Sequence, residues 1–204
     1  MAVFFCTASC APTYVVVKLD RTQLAACNLT IMPFFNSTIN FPGSVEKILG
    51  KGRKDSLIVS FFEQAVAANL SKTSCFRSVK WCGRQAAAVV GDSVRVKNAY
   101  TGIWRPAGRL PCAEAGDLVL FVYNAALDSA TVEYKEQDVV FSQTTLNFSA
   151  DYVYLKADSG RVVSFGKIQE NYVGLVPAVE RTSFEKLAEK ISNVLLAGGN
   201  YSKR

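Results

Sequence analysis

The stretch Asp117–Phe141 constrains the fold of this chain more than any other segment. Its first half, Leu118–Tyr123, is a nearly continuous apolar run, as in a strand that is buried on both faces. Its second half alternates, with Val132 and Tyr134 on one side and Thr131, Glu133 and Lys135 on the other, as in a strand with one wet face. Between the halves, Asn124–Ser129 contains residue types that tolerate turn geometry. This combination predicts an antiparallel β protein with two layers.

Other segments read as strands as well. We predict them at residues 14–19, 24–32, 76–82, 86–90, 93–97, 117–123, 130–141, 146–155 and 161–166. The segment Trp104–Pro111 contains two prolines and a glycine and is predicted to be an irregular crossover loop. Asp158–Gly160 is predicted to close a hairpin between the last two strands.

Two segments have helical periodicity. The first, at about 55–70, is predicted to begin at Asp55 as its N-cap and then repeats apolar residues at helical spacing. The second, at about 183–196, follows the capping box formed by Thr182 and Glu185. We therefore expect a mainly all-β fold, an antiparallel, two-sheet, jelly-roll-like sandwich with two peripheral helices. Residues 1–204 are predicted to form a single β-sandwich domain, with 146–204 as a possible C-terminal extension made of a hairpin and a helix.

The chain contains no histidine. This composition excludes Ser-His-Asp and Cys-His catalysis as well as His-ligated zinc. Paired carboxylates such as Glu136 and Asp138 share a predicted strand face and look solvated, and Gly50–Lys54 fails the pattern of a phosphate-binding loop. We predict no catalytic residue, no metal site and no cofactor, and we expect that the protein is not an enzyme.

The chain has six cysteines, and their spacing does not match a zinc site. They are Cys6, Cys10, Cys27, Cys75, Cys82 and Cys112. We expect buried thiols, because an apolar chain of this length needs no covalent staples. The alternative is three disulfides in a secreted protein, where the sequons at Asn28, Asn36, Asn69, Asn147 and Asn200 would be glycan sites. The N-terminus lacks the basic region of a signal peptide, and no apolar run approaches the length of a membrane span.

The net charge of +6 hides an asymmetry. Residues 1–110 hold 14 basic and 5 acidic residues, or +9, whereas residues 111–204 hold 9 and 12, or −3. Basic side chains in the first part, some interleaved with aromatics, suggest contacts with the phosphates of single-stranded RNA. The candidate nucleic-acid-binding residues are Lys51, Arg53, Lys54, Arg77, Lys80, Arg84, Arg95 and Lys97. The same patch is also suited to the acidic half of a neighbouring copy, which would give a homo-oligomer of many copies.

Two strand-like motifs carry a resemblance to a known family. Gly116-Asp117-Leu118 leads into an apolar strand, and Val132-Glu133-Tyr134 is followed by Val139–Gln143. This pair resembles the last two strands of the single jelly-roll coat proteins of small plus-strand RNA plant viruses, over 27 residues, Asp117–Gln143. The resemblance implies a capsid protein that self-assembles and packages RNA, found in the virion and the host cytoplasm.

Two alternatives remain open. One is a non-structural RNA-binding protein of the movement or silencing-suppressor type, which would use the same basic residues without a shell. The other is a secreted β-sandwich that binds a glycan or a receptor, which the cysteines and sequons suggest.

Overall fold

The computed structural model describes residues 24, 26–40, 55–83, 88–96, 99–108, 110, 112–136, 139–174 and 181–197. Within them the chain forms eight strands and two helices. In chain order these are β1 (Asn28–Ile31), β2 (Thr38–Asn40), α1 (Asp55–Ser71), β3 (Ser78–Trp81), β4 (Val89–Val96), β5 (Ala99–Pro106), β6 (Leu118–Glu136), β7 (Val139–Lys156), β8 (Val162–Gly174) and α2 (Arg181–Ala197).

The strands form a main sheet of six strands and a separate hairpin. The main sheet has the order β3-β1-β6-β7-β8, and β2 pairs with β6 beyond the end of β1. Strands β4 and β5 pair only with each other among the described strands. The expectation of a mostly β protein with two sheets and two helices is confirmed, whereas the order of the described strands does not confirm jelly-roll connectivity.

The main sheet is mixed. Strands β6, β7 and β8 are antiparallel, as predicted, but β1 pairs in parallel with both β3 and β6, and β2 pairs in parallel with β6. The predicted antiparallel arrangement is therefore wrong for β1, β2 and β3, which pair in parallel. Parallel neighbours need a crossover connection, and α1 lies in the connection between β2 and β3.

Both helices pack on one face of the main sheet, here called the helix face. In α1 the buried positions recur at helical spacing, at Ile58, Phe62, Val66 and Leu70. In α2 they are Phe184, Leu187, Ala188, Ile191, Val194 and Leu195, and the two sets join one apolar cluster with the sheet. Each large apolar side chain buried there contributes about 1.5–3 kcal/mol. The predicted helix positions are confirmed, but the helices are part of the core rather than peripheral.

The β4–β5 hairpin lies on the opposite face of the main sheet. Its Ile103 is 2% exposed and joins a second apolar cluster. The other buried members of this cluster are Met32, Cys82, Leu110, Val119, Phe121, Tyr123, Val153, Leu155 and Phe165. The hairpin therefore covers an apolar patch on this face, which we call the hairpin face.

Strand β6 runs without a turn from Leu118 to Glu136. The predicted turn at Asn124–Ser129 is wrong, because the irregularity there is a register shift between Tyr123 and Ala126, with Asn124 in the left-handed region at φ 51°. A bulge uses the same turn-tolerant residue types, so the sequence alone did not separate the two. The predicted strand at 130–141 is also wrong as a single element, since it spans the end of β6 and the start of β7.

Strand β5 was not anticipated. Trp104–Pro106, assigned above to an irregular loop, forms its last part and pairs with Val89–Gly91 of β4. Pro106 is the terminal residue of β5, where its missing N–H disrupts the pairing least. The predicted hairpin at Asp158–Gly160 is confirmed, with Gly160 at φ 63° and its N–H donating to the Lys156 carbonyl at 2.8 Å.

Residues 146–174 supply most of β7 and all of β8, which are the fourth and fifth strands of the main sheet's path. Helix α2 follows and buries its apolar face against that sheet. The described part of the predicted C-terminal extension is therefore built into the main sheet and its core. No described helix is long and apolar enough to cross a membrane.

Cys82 and Cys112 form a disulfide, with their Cα atoms 5.6 Å apart. The expectation of free thiols is wrong for this pair, while Cys27 and Cys75 remain thiols and Cys6 and Cys10 lie outside the described residues. Cys82 follows β3 and Cys112 precedes β6, and both strands flank β1. Sheet order brings the two sulfurs together, which spacing along the chain does not reveal.

The Gly-Asp-Leu motif has a structural role. Gly116 has φ 92°, a conformation that disfavours any residue with a side chain. Asp117 is 6% exposed, and its carboxylate accepts hydrogen bonds from Asn28 Nδ2 at 3.1 Å and from the Glu114 N–H at 2.9 Å. The motif thus anchors the start of β6 to β1.

Candidate functional site

The predicted RNA-binding residues are only partly described. Arg77 and Lys80 lie at the edge strand β3 and are exposed. Lys51, Arg53, Lys54, Arg84 and Lys97 lie outside the described residues, and so does the side chain of Arg95. The proposed basic surface stays a prediction.

The hairpin face of the main sheet has two halves. Below the β4–β5 hairpin, β6, β7 and β8 present Phe121, Val153 and Phe165, which are paired across the sheet and buried. One step further along all three strands, the next row is Tyr123, Asp151 and Lys167. The face changes from apolar to polar at this row.

Beyond that row no described element covers the hairpin face. The next two rows of side chains across the sheet are Thr38, Ala126, Ser149 and Gln169, then Asn40, Asp128, Asn147 and Asn171. These residues are exposed or half-buried, and their neighbours along each strand point into the helix-face core. We call the surface made by these two rows together with Asp151 and Lys167 the open polar face.

Hydrogen bonds hold side chains of the open polar face in place. Asn147 Nδ2 donates to Asp128 Oδ1 at 2.8 Å across β6 and β7. At the edge of the face, Asn124 Nδ2 donates to Asp151 Oδ2 at 3.2 Å, and Asn36 Nδ2 donates to Asn124 Oδ1 at 3.0 Å. Both carboxylates are therefore oriented by an amide group, with lone pairs left for a further donor.

The loop that carries Asn36 is fixed from the opposite side of the sheet. The Phe34 N–H donates to Oε1 of Glu63, a side chain of α1 that is 2% exposed, at 2.6 Å. The Phe34 ring packs against Phe62 and Phe148, at centroid distances of 6.4 and 6.1 Å. Because its loop is anchored in the core, Asn36 is a rigid part of the site.

A small cleft lies where the hairpin ends and the open polar face begins. Its volume is about 110 Å³, and it is lined by Thr101 and Ile103 of the hairpin and by Tyr123, Asn124, Asp151, Phe165 and Gly166 of the main sheet, among others. Ligand pockets usually measure about 300–1,000 Å³. The cleft is therefore large enough for one small group of a ligand that lies mainly on the open polar face.

The charges of this face are few and mixed. Asp128 and Asp151 are its acidic residues and Lys167 is its basic one, so its described side chains sum to −1. A surface that binds a polyanion needs an excess of cations. The open polar face is instead suited to an uncharged ligand with many hydrogen-bonding groups.

The hairpin carries its own ion pair. Arg105 Nε lies 2.6 Å from Asp92 Oδ2, across β4 and β5. The pKa of Asp92 lies below its ordinary value, chiefly because of this hydrogen bond and also because the Ser93 N–H donates to the same carboxylate. The pair ties the two strands of the hairpin together.

Three of the sequon asparagines already use their amide groups. Asn28, Asn36 and Asn147 each donate a hydrogen bond from Nδ2 to another side chain. A glycan on that nitrogen would break the bond, so these three are poor acceptor sites in the folded protein. Among the described residues there is also no group of three or more His, Cys, Asp or Glu side chains placed to hold a metal ion.

The sequence contains a signal for the open polar face, but it is visible only with the strand register. Along β8, Phe165 is followed at alternate positions by Lys167, Gln169 and Asn171. Along β7 in the reverse direction, Val153 gives way to Asp151, Ser149 and Asn147. The change from apolar to polar occurs on both strands at positions that pair, but the register is needed to see it.

No family model matches this chain, and no curated protein matches it either. Among solved structures, it is similar to a neuraminyllactose-binding hemagglutinin homologue from Helicobacter pylori, with a TM-score of 0.42 and 9% identity, covering 88% of this chain and 84% of that one. It is also similar to the PelC dodecamer from Paraburkholderia phytofirmans, with a TM-score of 0.39 and 10% identity, covering 87% and 90%. At TM-scores below 0.5, neither likeness assigns a fold, a ligand or an assembly to this chain.

Proposed function

We propose that this chain is a secreted carbohydrate-binding β protein whose open polar face holds a neutral glycan. The observation that carries this proposal is the set of amide, hydroxyl and carboxylate groups on the uncovered half of the hairpin face. The small net charge of that face favours a neutral ligand over RNA.

The chemistry of the face matches that of a sugar. Each glycan hydroxyl both donates and accepts hydrogen bonds, and so does each side-chain amide. Adjacent strands lie about 4.8 Å apart, so the rows present polar groups at regular intervals across the sheet. Because Asp128 and Asp151 are already oriented by Asn147 and Asn124, binding loses less side-chain entropy than it would with mobile groups.

The disulfide supports the secreted part of this proposal. Disulfides form and persist mainly in oxidising compartments such as the cell exterior or the periplasm. Thiol counting in denaturant without reductant tests this point: we expect at most four free thiols, from six cysteines with one bridge. Six free thiols would contradict it. The jelly-roll connectivity, the RNA-packaging shell and the virion location stay predictions.

A glycan array followed by titration calorimetry tests the binding function. We expect the protein to retain a neutral oligosaccharide, and the double variant Asp128→Ala, Asn147→Ala to weaken that binding by about tenfold or more, since each lost hydrogen bond contributes about 0.5–1.5 kcal/mol. The matched control is Gln64→Ala, which removes an exposed amide from α1 on the other side of the sheet. An array without any retained glycan, or a double variant that binds like the control, would overturn the proposal.

A further inference from the structure

The outer face of the β4–β5 hairpin presents aromatic side chains to solvent. Along β5, the Ile103 side chain points towards the main sheet. Positions 100, 102 and 104 therefore lie on the opposite face of the strand, and the Tyr100 and Trp104 side chains point away from the main sheet. Tyr100 is 73% exposed and Trp104 is 45% exposed. Tryptophan and tyrosine are enriched among the residues that carry most of the energy at binding sites.

Trp104 is held in a defined position on this face. It pairs across the hairpin with Gly91, and its Cζ3 atom lies 3.9 Å from the point that a Cβ on Gly91 would occupy. The indole therefore lies close to the backbone of β4, and a Cβ at Gly91 would be in ordinary van der Waals contact with it. One side of the ring is supported by the hairpin, and the ring remains accessible to a ligand.

A groove runs beside this ring. Its volume is about 550 Å³, within the range of about 300–1,000 Å³ that is common for ligand sites, and it is lined by Gly91, Asp92, Ser93, Gly102, Ile103 and Trp104. No protein atom lies within 4 Å of the point that a Cβ on Gly102 would occupy, so the centre of the groove is open.

We infer that this groove is a second carbohydrate subsite, in which a pyranose ring packs on Trp104 and its hydroxyls reach Ser93. The inference rests on the proposed function, because it assigns a further site to the same class of ligand. An aromatic face is electron-rich and attracts the slightly positive C–H groups on the flat side of a sugar ring. Among the described residues that line the groove, the charged one is Asp92, which is paired with Arg105, so no described lining side chain offers a cation to a nucleotide phosphate.

Fluorescence of Trp104 tests the inference. The chain has two tryptophans, and Trp81→Phe leaves Trp104 as the only one. Trp81 Nε1 has no hydrogen-bond partner among the described residues, so phenylalanine removes no described hydrogen bond. The probes are a glucose hexasaccharide, an N-acetylglucosamine hexasaccharide and a uridine oligonucleotide. We expect a saturable shift of Trp104 emission with at least one hexasaccharide; no shift with either, or a shift with the oligonucleotide alone, overturns the inference.

A filled groove provides the second arm. Gly102→Val places a β-branched side chain in open space on a strand, so folding is preserved, and we expect binding to the subsite to weaken at least tenfold. The matched control, Glu133→Val, adds the same side chain at an exposed strand position on β6 and should bind like the parent. Equal binding by the two variants overturns the inference.

The two proposed sites can be refuted independently of each other. If Asp128→Ala with Asn147→Ala abolishes binding while Gly102→Val does not change it, the open polar face binds glycan and the aromatic subsite is refuted. If Gly102→Val abolishes the Trp104 response while the double variant binds like the parent, the subsite stands and the open polar face is not the main site.

Discussion

The two halves of the hairpin face differ in composition although they belong to the same three strands. Below the hairpin, β6, β7 and β8 present Phe121, Val153 and Phe165 to a dry cluster. On the open polar face they present Asp128, Asn147 and Asn171 to water. The helix face presents buried apolar side chains behind both halves, such as Leu120 behind the covered half and Leu127 and Phe148 behind the open one. The difference shows that a strand is apolar on a given face only where a second layer covers that face. The pattern of apolar and polar side chains can therefore change along a single strand.

The largest contrast between the two halves should be in stability. Phe165→Ala removes a ring that is 4% exposed in the covered half, and we expect a loss of about 3–5 kcal/mol in the free energy of unfolding. Gln169→Ala, on the same strand in the open half, should cost within about 0.5 kcal/mol, as surface substitutions usually do. Urea denaturation of both variants measures this. Similar losses would remove the distinction between the halves.

The disulfide should account for much of the attachment of the hairpin. It closes a loop of 30 residues that contains all of β4 and β5. Replacing both Cys82 and Cys112 with alanine should lower the free energy of unfolding by about 3–4 kcal/mol through the entropy of the unfolded chain. Hydrogen exchange should then speed up in β4 and β5 more than in β7. Uniform acceleration across the sheet would show that the hairpin is not a separable cover.

The boundary between the halves depends on Asn124. Asn124→Ala places at φ 51° a residue that adopts the left-handed region less readily than asparagine, and it removes the side-chain bonds to Asn36 and Asp151, so we expect a loss of about 1–2 kcal/mol. Asn124→Gly loses the same bonds but tolerates the backbone conformation, so it should be less destabilised. Thermal denaturation of the two variants compares them. If the glycine variant is as unstable as the alanine variant, the lost side-chain hydrogen bonds alone, and not the backbone conformation, account for the lower stability.

The smallest expected effect is a pH dependence of the hairpin. The folded pKa of Asp92 is depressed, so its pair with Arg105 stabilises the fold above about pH 4, where the unfolded carboxyl is ionised, and this contribution is lost as the pH falls through the folded pKa. Asp92→Asn should therefore flatten the stability profile below about pH 4 and leave the slope near neutral pH unchanged. If the stability of Asp92→Asn changes with pH below about pH 4 as that of the parent does, the Asp92–Arg105 pair makes no measurable contribution to stability.

Parts of the fold were predictable because their signals are local. The spacing of Ile58, Phe62 and Val66 in α1 and the turn at Gly160 each depend on residues a few positions apart, and both are confirmed. The parallel pairing of β1 with β6 depends on residues about 90 positions apart in the chain, such as Leu29 and Leu118. No local pattern encodes which strand becomes a neighbour, so the mixed sheet was missed.

The candidate site was missed for the same reason. Asn36, Asn124 and Asp151 are brought together by strand register and by a bulge, and none of them is unusual in its own segment. The predicted RNA-binding residues include basic clusters that are dense along the chain. One of them, Lys51–Lys54, lies outside the described residues. A site made of neutral polar groups on three strands has no such density in the sequence.

The most direct test of the account is a map of backbone amide chemical shifts during titration with an oligosaccharide that the glycan array identifies. We predict that the perturbed amides cluster on β6, β7 and β8 around Asp128, Asn147 and Asn171, with further changes beside Trp104. The amides around Val153 and Phe165, below the hairpin, should stay unperturbed. Perturbations confined to the edge strand β3 near Lys80, or spread evenly over the sheet, would contradict the claim that the open polar face is the binding surface.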